Sequence, residues 1–327
     1  MPGSSSLGFV QSSPRLASVV DESHMDDQHH RLPRRSPAPL SISSSLRPEE
    51  DVRVPVPRRL LLGWNGAMFL FHSLLAFVTL YVGNRDLMVP IYRTVLEFSF
   101  RDEADESAGW DILPVYAPSG TLPLTWLVAL FFLLSALFHL LNATLLQAFY
   151  LSELERCRTP TRWVEYFLSA PVMIVLIAYG LGQRGRDVLI ALFGLVAITM
   201  PFGYWTEVEG RPLSQTQWTK PLCRRLYPWF LGHVPQLFAW GLILLQFYEG
   251  FAGSDQVPWF VYLILWAELL FFFSFGVGSL VSQLAPPARF YQGELVFQVL
   301  SLVSKGVLGL VLITNVLMLS SFDDIYE

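Results

Sequence analysis

Seven stretches of this chain carry so little charge for so long that water is a poor solvent for them: residues 60–82, 122–150, 160–181, 188–204, 229–248, 258–285 and 295–319. A helix rises about 1.5 Å per residue, so about 20 residues cross the roughly 30 Å of a bilayer's hydrocarbon. Five of the runs reach that length easily, and 188–204, the shortest, is still within range. Unpaired backbone amides are too costly in lipid, which leaves helices or closed barrels as spanning structures. The runs are continuous and do not alternate with period two, so helices are expected. The fold class is an all-α membrane protein, a seven-transmembrane-helix bundle. Composition agrees, with 53% apolar and 15% charged residues, where soluble proteins carry about 25% charged. Two soluble domains are therefore excluded. A net charge of −5 gives no sign of a nucleic-acid partner. Two cysteines, Cys157 and Cys223, make neither a disulfide framework nor a zinc site.

Residues 1–59 are rich in Ser, Pro and Arg and contain no apolar run, so they are expected to form a disordered tail. They lack the apolar core of a signal peptide. The adjacent His29 and His30 read as part of a solvated tail. Residues 320–327 form a short tail at the other terminus. Lys and Arg bookkeeping sets the orientation. One side of the membrane receives Arg47, Arg53, Arg58, Arg59, Arg156, Arg158, Arg162, Arg211, Lys220, Arg224, Arg225 and Arg289. The other receives only Arg85, Arg93, Arg101, Arg184 and Arg186. The basic side is cytoplasmic, which puts the N-terminus inside and, after seven spans, the C-terminus outside. Both cysteines then face the reducing cytoplasm. The long outer loop 83–121 is acidic, with Glu97, Asp102, Glu103, Asp105, Glu106 and Asp111. Its β-prone ends, 88–96 and 110–116, suggest a β-hairpin. The sequon at Asn142 falls within the second span and is not expected to be glycosylated.

Ionisable residues at hydrocarbon depth cost several kcal/mol unless paired or hydrated, so they mark function. Here they are His72, His139, Glu165, Glu268 and Lys305. Lys305 lies about 10 residues into the last run, near ~15 Å depth and too deep to reach either surface. Such a lysine loses its proton, finds a carboxylate, or is consumed as an imine with an aldehyde. Glu165 is the one acid of the third run and the natural partner, offset by ~3 Å of helical rise. Arg162 shares its face one turn earlier. His72 and His139 fall at ~16–18 Å, in the lysine's layer. Ser135 precedes His139 by four residues, and Ser301 precedes Lys305 by four, so each pair shares a helix face. Glu294, Gln298, Ser301 and Lys305 form a polar stripe with 4-3-4 spacing.

Three segments carry a family likeness: Arg162-Trp163-Val164-Glu165-Tyr166, the run Phe132 to His139, and Ser301-Leu302-Val303-Ser304-Lys305. Together with an inside N-terminus they resemble the heliorhodopsins, inverted-topology microbial retinal proteins, over about residues 58–320. The resemblance implies that residues 60–319 form a retinal-binding domain. It implies that Lys305 carries all-trans retinal as a protonated Schiff base, with Glu165 as its counterion. It further implies that Ser301 and Ser135 hydrogen-bond around that pair. His72 and His139 would belong to a proton-accepting polar network on the cytoplasmic side, and Arg162 and Tyr166 complete the signature. Leu75 stands where family members often carry glutamine, which alters that network. The family forms homodimers, partly through a hairpin in the first outer loop.

Two functions follow. One is a light sensor, not an enzyme, in which retinal drives a conformational and proton-transfer cycle read by a signalling partner, without net ion transport. The other is a light-driven proton transporter or channel using Glu165 and Glu268, the latter about 10 residues from the outer end of the sixth run. A non-retinal receptor is disfavoured, because the third run does not end in Asp/Glu-Arg-Tyr and the seventh lacks Asn-Pro-x-x-Tyr. No nucleophile with a base and no phosphate loop suggests an enzyme.

Overall fold

The structure is a computed structural model describing residues 52–101, 109–251 and 257–318. The expected tail up to residue 51, with His29 and His30, lies outside the described residues, as do Asp102, Glu103, Asp105, Glu106 and the terminus 320–327.

Among the described residues seven helices are long and apolar enough to cross a membrane. They are α1 (Arg58–Val82), α2 (Leu124–Ala143), α4 (Pro160–Gly180), α5 (Arg186–Glu209), α6 (Leu222–Gly250), α7 (Trp259–Leu284) and α8 (Phe290–Leu312), the last extended by a π-helical turn, Ile313–Leu317. A short helix α3 (Gln147–Glu155) intervenes between α2 and α4. The run 122–150, read as one span, is therefore broken. Helix α2 stops at Thr144, whose backbone is non-helical and whose hydroxyl donates back to Leu140 O at 2.6 Å. The chain then turns, so that α3 buries Tyr150, Leu151 and Leu154 against Leu61 and Phe290. Residues 52–57 run beside α3, with Val54 N bonded to Glu155 O at 2.7 Å. Helices α5 and α6 are also longer than their apolar runs: α5 continues past Tyr204 to Glu209, and α6 begins seven residues before Trp229.

The loop between α1 and α2 is an antiparallel hairpin, β1 (Met88–Phe100) and β2 (Trp110–Pro123), longer than the β-prone runs suggested and irregular between Ile91 and Tyr92. Its base is fixed to the α4–α5 turn: Tyr92 N bonds Arg184 O at 3.0 Å, and Tyr179 Oη donates to Pro90 O at 3.0 Å.

Helix α1 shows how periodicity sorts the faces. Leu61, Asn65, Met68, His72, Ala76 and Thr79 are buried at 4-3-4-4-3 spacing, while Leu70, Phe71, Leu74 and Phe77 are exposed. Exposed leucine and phenylalanine are the expected surface of a helix solvated by lipid, where apolar contact with acyl chains costs nothing. The inverse arrangement, polar groups gathered inside, creates the site.

Candidate functional site: a buried lysine at the wall of an aromatic cavity

The central contact joins α4 to α8. Lys305 Nζ lies 2.7 Å from Glu165 Oε1, and both side chains are almost fully buried. The ~3 Å offset in helical rise is bridged by the lysine stem, whose Cβ leans toward the helix N-terminus. Ser135 on α2 joins the pair: its Oγ donates to Glu165 Oε1 at 2.6 Å and also accepts from Lys305 Nζ. Two opposite charges and a hydroxyl thus satisfy one another in a buried setting, the condition under which buried ions are tolerated. The Tyr166 ring faces the ammonium, with Nζ 5.4 Å from its centroid, and its hydroxyl is fixed by donation to Phe297 O at 3.2 Å.

His72 and His139 stack, ring centroids 5.6 Å apart and planes within 4°. Neither bonds the lysine pair directly. His139 Nδ1 meets Asn65 Oδ1 at 2.9 Å, and both nitrogens of His72 are buried without a partner. From Asn65 the bonds continue. Asn65 Nδ2 donates to Tyr150 Oη at 3.2 Å, and Tyr150 Oη donates to Glu294 Oε1 at 3.1 Å. Burial, then the neighbouring Glu294 charge, push the Tyr150 phenol well above its usual range, so it remains a donor. Glu294 also accepts from Gln298 Nε2 at 3.2 Å.

Arg162 does not pair with Glu165. Its guanidinium forks between Glu294 of α8 and Glu207 of α5, the three side chains being 5%, 3% and 3% exposed. It lies over the Phe297 ring at 3.9 Å. Glu207 further accepts from Thr159 N at 2.7 Å and Thr159 Oγ1 at 3.0 Å. Sequence reasoning placed Glu294 on the polar stripe but missed Glu207, Asn65 and Tyr150. Glu207 lay beyond the apolar run and read as loop. Asn65 is a neutral residue outside a search confined to ionisable groups. Tyr150 reaches the site only because α2 breaks.

Lys305 also lines a cavity whose empty volume, including its open side, is about 810 Å³. The walls are apolar and aromatic, with Trp163, Tyr166, Trp229, Phe272 and Phe275 prominent. Two glycines keep the space open. A Cβ on Gly203 would collide with the Trp163 ring, and one on Gly276 with the His233 ring. Ser301 lines this cavity, and its Oγ has no hydrogen-bond partner. Glu268, fully buried on α7, accepts a bond from Ser304 Oγ at 2.9 Å and leaves Oε1 unpartnered. An elongated apolar molecule ending in an aldehyde fits this donor set, because it can fill the aromatic slot and present its carbon to the one amine in the wall. Among the described residues no cluster of His, Cys, Asp or Glu has the makings of a metal site.

No curated protein matches the chain by sequence. Among solved structures it is similar to the transmembrane domain of Salpingoeca rosetta rhodopsin phosphodiesterase, with a TM-score of 0.53 at 10% identity, over 78% of this chain and 84% of that one. A second structure of that protein, comprising the transmembrane domain and linker region, gives a TM-score of 0.51 at 11% identity, over 77% and 69%. At that identity the likeness is one of fold. The model of the heliorhodopsin family matches residues 61–317, which takes in all seven spans and the buried Lys305–Glu165 pair. Seven spans, a β-hairpin between the first two of them and that match together make this chain a member of the heliorhodopsin family.

Proposed function

We propose that the chain is a light-sensing photoreceptor that holds all-trans retinal at Lys305 and passes a change in structure and proton position to a signalling partner, without net ion transport. Family membership makes it a retinal-binding, non-enzymatic signalling protein embedded in the membrane by several spans. The observation that carries the finer reading is the Lys305–Glu165 pair set in the wall of the aromatic cavity. Lys305 would hold the group through Nζ as a protonated imine, Glu165 would supply the balancing charge, and Ser135 would keep that carboxylate in place. Retinal, when bound, supplies absorption of visible light and an isomerisation. Tyr166, Trp163 and Phe275 confine the group, and burial of the pair excludes water. A cation displaced from Glu165 changes the proton affinity of both partners. The bonded path from His139 through Asn65, Tyr150 and Glu294 to Arg162 is the chain's provision for a proton on that side. The basic side of the Lys and Arg count puts that path, and the N-terminus, toward the cytoplasm. The hairpin serves as a dimer contact, as the family resemblance implies.

Adding all-trans retinal to purified Lys305→Ala should give no visible absorption band, whereas the parent chain becomes coloured. A band surviving the substitution overturns attachment at Lys305.

One observation favours a second reading, light-driven proton transport. Glu268 is a buried carboxylate with an unpartnered oxygen, bonded to Ser304, the residue next to Lys305. Photocurrents under voltage clamp that vanish in Glu268→Gln would establish it; a well-expressed pigment without current removes it.

A further inference from the structure

A second cavity lies between α7 and α8, with about 790 Å³ of empty space including its open side. Its walls are small and mostly apolar, with Val277, Gly278 and Val281 from α7 and Val296 and Leu300 from α8, interrupted by the hydroxyls of Ser274 and Ser282. Val277, Val281 and Val296 are exposed, so the groove opens on the bundle's outer surface. A Cβ on Gly278 would meet only Leu300 and Phe297, both at the ordinary contact distance of 3.9 Å. Packing therefore does not demand glycine there; its absent side chain leaves space. At the end where the two helices join, the groove is closed by Arg289 and Gln292. Arg289 is exposed and has no ion-pair partner among the described residues. Arg53, Arg58, Arg156, Arg158, Arg162 and Arg224 each have a carboxylate nearby.

A free cation at the head of an apolar groove that follows the helices for eight residues, about 12 Å, matches an amphiphile with an anionic head. We propose that this groove binds one anionic phospholipid, its phosphate on Arg289 and Gln292 and an acyl chain along Val281, Gly278 and Leu300. A zwitterionic lipid brings its own ammonium to the same place and gains less from Arg289. The bound chain would lie against the back of α8, beside Phe297 and Ser301, which face the retinal cavity. The site does not depend on retinal attachment, and its test runs without retinal.

The full chain in detergent micelles is incubated with dioleoylphosphatidylglycerol or dioleoylphosphatidylcholine and its adducts are counted by native mass spectrometry. One phosphatidylglycerol per chain should persist under activation that strips phosphatidylcholine. Arg289→Gln should lower its retention about fivefold, the equivalent of roughly 1 kcal/mol per basic residue at a headgroup. Gly278→Leu, which fills the groove, should abolish retention of the lipid. Val296→Trp on the exposed lip should do the same should Gly278→Leu fail to fold, as judged by helicity in circular dichroism. Equal retention of the two lipids, or retention unaffected in these variants, overturns the proposal. So does displacement by inorganic phosphate, which would reduce the site to an ion contact. An interchain disulfide formed by Val281→Cys in a Cys223→Ser background would put a second copy over the groove and also overturn it.

Discussion

Replacing Arg162 by glutamine tests whether the buried acid–arginine–acid cluster holds α4, α5 and α8 together. The guanidinium is the only cation bonded to Glu207 and Glu294 among the described residues, and all three groups are buried. Removing one partner from a buried ionic group costs about 3–5 kcal/mol, because the remaining charge keeps its desolvation penalty. Three neutral donors soften this: Thr159 still donates to Glu207, and Tyr150 and Gln298 still donate to Glu294. The lower half of the range, about 3–4 kcal/mol, is therefore expected. At about 1.5–2 °C per kcal/mol for a chain of this size, the apparent Tm should fall by about 4–8 °C. The assay is thermal unfolding in one detergent at a fixed scan rate, followed by helicity. Glu294→Gln in the same background removes one stranded charge, so the double variant should lose less than the sum of the single losses. Residues of one ionic network couple by about 0.5–3 kcal/mol. A Tm within 2 °C of the parent in Arg162→Gln, or strictly additive losses in the pair, refutes the argument.

Gly203→Leu should displace the Trp163 ring and shrink the cavity; titration with all-trans retinal should show a loss of pigment yield with helicity intact, and full yield would mean that the cavity is not the retinal site. Burial, with Glu207 second, pushes the Cys157 thiol up to about 12, so no reactive thiolate forms there between pH 7 and 10. A maleimide should label exposed Cys223 alone in the native protein, and both cysteines after denaturation; mass-mapped labelling of native Cys157 at pH 8 would contradict the packing.

The sequence by itself determined the solvent and marked the buried ionisable residues. Length and charge depletion dictate spanning helices, because lipid offers the backbone no other partner. The same depletion makes Lys305 and Glu165 conspicuous, since each ionisable group at that depth requires an explanation. The hairpin was legible from the β-prone runs 88–96 and 110–116. Tertiary structure decided the partners. Arg162 shares a helix face with Glu165 yet pairs with Glu207 and Glu294, because those carboxylates come from α5 and α8 and side-chain direction, not spacing, selects the contact. The break at Thr144 was hidden because apolar composition continues through it; only the packing of Tyr150 under α1 and α8 gives the turn a reason. Asn65 was passed over as a neutral residue, and Glu207 because it lies beyond its apolar run. Their roles arise from a hydrogen-bond network assembled from residues as far apart as Asn65 and Glu294, and one-dimensional order holds no record of which helices will be neighbours.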